Sequence, residues 1–214
     1  MKLSINREPR RNMRAWAVGV LLFLGSCGGM NINDFASTTP EFRIETYFEG
    51  QTRGWGIFED RFGTLRRSFV VDIVGFQEGE EFVLEEDFLY DDGETQRRVW
   101  RIKTTGKDSY EGTAGDIEGV ATGSRSGNAL NWRYDMNLKV GESTWRVGFD
   151  DWMFLQPGGI LMNRAYVKRW GFQIGSVTLS FAKPGTEMFN RFGTADPDKM
   201  SGAAIPKTHK MAAE

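Results

Sequence analysis

Arg67, Glu86, Arg98 and Asp151 each sit in a run whose other residues of the same parity are mostly apolar. Arg67 alternates with Leu65, Phe69, Val71 and Ile73, and Glu86 with Phe82, Leu84, Phe88 and Tyr90. Arg98 alternates with Trp100 and Ile102, and Asp151 with Trp145, Val147, Phe149, Met153 and Leu155. Successive strand residues point to opposite faces, so these runs predict two acids and two arginines on an inward, apolar face. A buried charge without a partner costs on the order of several kcal/mol, so the four are expected to pair with one another or with a ligand. The structural outcome is an internal ion-pair network near one end of the fold. The functional outcome is that Arg98 or Arg67 grips the acidic head of a lipid-like molecule, because an arginine fork matches carboxylate or phosphate with two parallel hydrogen bonds. Trp100, Trp132 and Tyr134 share the inward parity and supply the wall for its tail.

A competing chemistry is that Glu86 and Asp151 form the acid and base of a glycosidase. Asp150 and Asp151 do not predict a metal site, since adjacent strand residues point apart. The lone histidine, His209, and the lone cysteine, Cys27, lie near opposite ends of the chain. Histidine-dependent triads, the usual zinc sites and an intrachain disulfide are therefore excluded. No enzyme activity and no cofactor is expected. A formal net charge of -2 gives no electrostatic reason to expect nucleic acid.

The elements that must position these residues are strands. Leu130 to Val140 alternates apolar and polar without a miss: Leu130, Trp132, Tyr134, Met136, Leu138 and Val140 on one face, Asn131, Arg133, Asp135, Asn137 and Lys139 on the other. Nine further strands are expected at 52–60, 65–77, 80–90, 95–104, 109–114, 117–124, 143–155, 160–170 and 172–183. The apolar parity of the last moves from Phe172 and Ile174 to Val177, Leu179 and Phe181, which predicts a β-bulge at Gly175-Ser176. About ten strands joined by short connections protect their edges best by closing, so the expected fold is an antiparallel, up-and-down barrel of the calycin or lipocalin kind. A two-sheet sandwich is the alternative. The Gly- and Ala-bearing stretch from Gly112 to Gly123 fits a sharp corner or a place where interior space is left open. Trp152 and Trp170 are expected to be core or part of a membrane-interface belt.

Around this barrel, expected over residues 43–184, lie a signal at 1–26, a tether at 27–42 with little to pack, and a largely disordered tail at 185–214. Arg43 to Gly50 is expected as a short helix or lead-in strand. At the N-terminus Lys2, Arg7, Arg10, Arg11 and Arg14 precede an uncharged run, Ala15 to Leu24, too short to span a bilayer as a helix. Met1 and Met13 are both possible starts for this signal.

The run ends in Leu24-Gly25-Ser26-Cys27, which resembles the lipobox of bacterial lipoproteins. The resemblance implies cleavage before Cys27, acyl chains on that residue and a membrane partner held through them. Gly28 is not the aspartate that usually signals inner-membrane retention, which implies the periplasmic face of the outer membrane. Gly54-Trp55-Gly56 resembles the Gly-x-Trp region of lipocalins. A longer likeness runs from about Phe48 to Pro184 and includes Gly54 to Gly63, Glu86-Asp87-Phe88, Asp92-Gly93-Glu94 and Arg98-Val99-Trp100. It continues through Gly119 to Gly123, Gly127 to Leu130, Asp150 to Met153 and Asn163-Arg164-Ala165. Together these resemble the bacterial lipoprotein family called domain of unknown function 3833. That resemblance implies a lipocalin-like barrel and gene neighbourhoods that include cyclopropane fatty acid synthase, but no catalytic residues. The expectation is an anchored barrel that binds a fatty acid, phospholipid or similar ligand through Arg67, Glu86, Arg98, Trp100, Trp132, Tyr134 and Asp151. A filled, purely structural barrel is the alternative.

Overall fold

The computed structural model describes residues 29–140 and 142–186. Cys27, the signal before it, and Phe189 and Phe192 of the tail lie outside them. The described residues form ten antiparallel strands: β1 Gly50–Asp60, β2 Leu65–Glu78, β3 Glu81–Tyr90, β4 Thr95–Gly106, β5 Ser109–Thr113, β6 Ile117–Ser126, β7 Ala129–Val140, β8 Ser143–Leu155, β9 Leu161–Arg169 and β10 Phe172–Ala182. Each pairs with its sequence neighbours, and β1 pairs with β10 from Arg53↔Ala182 to Asp60↔Gly175, which closes the barrel. The sandwich alternative is thereby set aside, because closure leaves no edge strand exposed. The bulge in β10 falls between Gln173 and Gly175, so the extra residue is Ile174, just before the expected position.

The two barrel ends are built differently. At one end the chain itself forms a plug. The short helix α1, Ile44–Tyr47, and its neighbours Phe42 and Phe48 pack under Ile73, Phe82, Ile102, Leu155, Leu161 and Phe181. Three edge-on aromatic contacts run from Phe42 through Tyr47 and Phe48 to Phe181, with centroids 5.9, 5.0 and 5.6 Å apart. The Tyr47 hydroxyl donates to the carbonyls of Gly159 (3.0 Å) and Phe181 (3.1 Å), tying the plug to β10 and the β8–β9 turn. Arg125 on β6 clamps the segment before α1, pairing with Glu41 and Asp108, each at 2.6 Å.

The stretch expected to pack little is packed. Residues Ile32–Phe35 form a 3-10 turn, and Phe35 covers Trp152 and Phe154 on the outer face of β8. The Thr38 hydroxyl bonds to Asn128, and the Phe42 amide donates to the Gly127 carbonyl at 2.8 Å. Polar composition suggests a free tether, but Phe35 and Phe42 are enough to anchor it, because each removes a large apolar area from water.

Of the two expectations for the stretch from Gly112 to Gly123, open interior space is not met, because the space beside both glycines is filled. A Cβ at Gly123 would sit 2.4 Å from the Trp132 ring, and one at Gly112 would sit 2.8 Å from it. The glycines of β5 and β6 make room for the indole of β7, which is buried in the core.

Candidate ligand-binding cavity

Between the plug and the other end lies a cavity of about 380 Å³. Ile44 and Phe48 form its floor, and Phe58, Leu138 and Lys139 lie toward its mouth. Arg67, Glu86, Arg98, Trp100, Trp132, Tyr134 and Asp151 all line it, since strand parity turns every one of them inward. Asp150 points outward to Asn131, Arg133 and Lys168, so the adjacent acids do separate.

Aromatic rings form much of the wall. Tyr134 stacks on Phe149 (centroids 4.9 Å, planes 4° apart) and meets Trp100 edge-on at 5.4 Å. Trp100 in turn meets Trp132 edge-on at 5.7 Å. The pairs Glu86↔Arg98 and Trp132↔Asp151 are direct cross-strand partners on β3–β4 and β7–β8.

Both arginines are already held by carboxylates. Arg98 places Nη2 2.8 Å from Asp116 Oδ2 and Nε 3.1 Å from Asp116 Oδ1, with Nη1 3.6 Å from Glu86 Oε2. Although burial works against its charge, Glu86 and Asp116 hold the Arg98 pKa above the ordinary guanidinium value. Arg67 donates through Nη2 to Asp92 (2.9 Å) and Glu94 (2.6 Å), and its guanidinium lies 3.5 Å over the Tyr90 ring. Of the two outcomes expected for these arginines, carboxylate pairing is present at both, while Arg67 Nε stays without a partner among the described residues of the cavity wall. The pairing comes from Asp116 and the Asp92–Glu94 turn, which barrel closure brings to the arginines.

The inward carboxyls have the opposite character. Burial raises the Glu86 pKa from 4.5 to about 7, helped by repulsion from Asp116 and opposed by Arg98. Burial likewise raises Asp151 from 3.8 to about 7, with Arg98 opposing and Asp150 and Glu86 adding repulsion. With one buried arginine against three acids, protons on Glu86 and Asp151 limit the net negative charge in the interior.

Three buried polar atoms of the cavity-lining residues have no hydrogen-bond partner among the described residues: Arg67 Nε, Asp151 Oδ1 and Asn163 Nδ2. Asp151 Oδ2 accepts a long bond of 3.5 Å from Tyr134. Asp151 pairs with Ala165, so Asn163 is its diagonal neighbour on the same inward face. Asp151 and Asn163 thus place an unmatched acceptor and an unmatched donor side by side on the wall. Asp116 and Asn163 were not foreseen from the sequence as site residues. Asp116 belongs to a turn, where parity carries no information, whereas Asn163 alternates with Leu161, Ala165 and Val167 and was legible as an inward polar residue.

Among the described residues no group of acids, histidines or cysteines has the geometry to hold a metal ion. No curated protein matches the chain. Among solved structures, the S-type phycobiliprotein lyase of Guillardia theta is similar over 64% of this chain and 88% of its own, at 9% identity and a TM-score of 0.46. The model of the family described as Protein of unknown function (DUF3833) matches residues 21–183, and with three quarters of its length inside that match the chain belongs to this family.

Proposed function

We propose that this protein is a lipid-anchored barrel that binds one amphipathic, lipid-like molecule, such as a fatty acid or a single-chain phospholipid. Acyl chains on Cys27 hold it to the periplasmic face of the outer membrane. The observation that carries the reading is an aromatic cavity of about 380 Å³ whose wall holds unpartnered polar atoms, among them the neighbouring Asp151 Oδ1 and Asn163 Nδ2. A volume in the range of roughly 300–1,000 Å³ with few convergent polar groups is typical of small-molecule sites. A packed interior, as a purely structural barrel would have, lacks such space.

At Asp151 and Asn163 the unmatched acceptor and donor suit a neutral hydrogen-bonding head better than an anion. A protonated carboxyl group fits: its hydroxyl donates to Asp151 Oδ1 and its carbonyl accepts from Asn163 Nδ2. Arg98 acts indirectly in this arrangement, by holding Asp116 and Glu86 in place beside the head.

The test is titration of the full chain with a fluorescent fatty acid, alongside native mass spectrometry of the chain extracted from membranes. One ligand per chain is expected. Val177→Trp fills the lined space and should abolish binding, while Asn163→Leu, which removes one hydrogen bond, should weaken it about fivefold. No binding across fatty acids and lysophospholipids, or unchanged binding in a folded Val177→Trp chain, would overturn the proposal.

A further inference from the structure

The end of the barrel opposite the plug carries three exposed aromatic residues on two adjacent hairpin tips. Phe62 belongs to the β1–β2 turn and is 77% exposed; Trp170 and Phe172, at 83% and 74%, belong to the β9–β10 turn. The two tips are neighbours because β1 pairs with β10, and the Arg61 amide donates to the Ile174 carbonyl at 3.0 Å. Two arginines accompany the rings. The Arg61 guanidinium lies 4.6 Å over Phe62, and that of Arg169 lies 4.0 Å over Trp145 and 4.1 Å over Trp170. Among the described residues neither arginine has a carboxylate within 4.0 Å, whereas Asp60 on the same rim is held by Arg66 at 2.5 Å and Asp92 and Glu94 by Arg67. Lys139, which lines the mouth of the cavity, adds a third cation, and Asp91 on the β3–β4 turn and Glu142 on the β7–β8 turn are acids of the same end.

Trp170 stands out further. Its φ of 52° lies in the left-handed region, and with Gly171 at φ 83° it forms the two-residue turn between Arg169 and Phe172. Asparagine or glycine suits this turn position, and a bulky residue there is strained. Folding alone therefore gives no reason for an indole at this position, since it gains almost no burial.

We infer that this rim is a docking surface for an anionic phospholipid bilayer. Exposed Trp and Phe enter the headgroup boundary, where rings with apolar faces and polar edges are favoured. Arg61, Arg169 and Lys139 meet the lipid phosphates. Docking in this orientation lays the cavity mouth against the bilayer, so an apolar ligand passes between cavity and membrane without crossing water. The inference rests on the proposed ligand-binding reading for the purpose of the contact, and on the rim alone for its existence.

The test uses the full chain with Cys27→Ser and a single thiol at Gln173→Cys on the rim, labelled with a fluorophore. A second chain carries the label at Glu80→Cys, on the β2–β3 turn at the plug end. Vesicles of phosphatidylcholine with or without phosphatidylglycerol carry a lipid-borne quencher. Because the quenching is local, association through the N-terminal segment does not mimic docking. Strong quenching at position 173 and little at 80 is expected on the anionic vesicles. Phe62→Ser with Trp170→Ser and Phe172→Ser should abolish it, and each of Arg61→Ser and Arg169→Ser should weaken it about fivefold. Equal quenching at the two positions, or none at 173, overturns the inference. Shielding of position 173 that rises with protein concentration in the absence of vesicles also overturns it, by assigning the rim to a second copy. Fatty acid titration without vesicles reads the cavity separately, so either idea can fail while the other stands.

Discussion

The two ends of this barrel use the same kinds of residue for opposite ends. At the plug, Phe42, Tyr47 and Phe48 are folded back under the strand termini and are almost completely buried. At the mouth, Phe62, Trp170 and Phe172 stand in the open. Aromatic content therefore says little about role until the covering chain is known. The plug rings close the fold, and the mouth rings leave apolar surface for something else to cover.

The largest expected contrast is in stability. Phe42→Ala removes a fully buried ring from the plug and should cost about 3–5 kcal/mol in chemical denaturation, whereas Phe172→Ala at the mouth should stay within about 0.5 kcal/mol of the parent. Equal losses would mean that the two ends are not different in kind.

The acids between the two ends give the next effect. Folding raises the pKa of both Glu86 and Asp151 above their ordinary values of 4.5 and 3.8, to about 7. The folded state thus binds more protons than the unfolded one across this window, and stability falls as pH rises through it. Their favourable contribution is complete below about pH 4 and is lost as pH passes about 7. Thermal melts at pH 5 and pH 8 should show a larger drop for the parent than for Glu86→Gln with Asp151→Asn, by on the order of a few kcal/mol. An unchanged pH slope in the double variant would remove the carboxyls as the cause.

The smallest effect has the opposite sign. Trp170→Asn places a residue that tolerates the left-handed region at φ 52° and should stabilise the chain by up to about 1 kcal/mol in denaturant melts. The same change should weaken docking to anionic vesicles, so stability and membrane contact trade against each other at one residue. A loss of stability in this variant would mean that the indole packs more than its exposure indicates.

Much of the barrel was legible in residue order. The alternation at Leu130 to Val140, and its imperfect copies, identify strands and place Arg67, Glu86, Arg98 and Asp151 on the inner face, because side-chain direction in a strand is set by local backbone geometry. Trp152 and Trp170 look alike in sequence, yet Phe35 covers one and nothing among the described residues covers the other to the same degree. That difference depends on a chain segment more than a hundred residues away from both. The same limit applies to Asp116, whose bond to Arg98 spans a gap of 18 residues and adds a carboxylate that strand parity could not place beside that arginine.

The sequence by itself determined the strand period, the inward charges and the lack of histidine and cysteine within the barrel segment, since His209 and Cys27 lie outside it. Only the closed barrel decided which charges satisfy each other, that Trp132 fills the space left by Gly112 and Gly123, and that Asp151 and Asn163 keep free valences beside a cavity. Period is a property of neighbouring peptide units, but pairing across an interior depends on register and curvature summed over all ten strands.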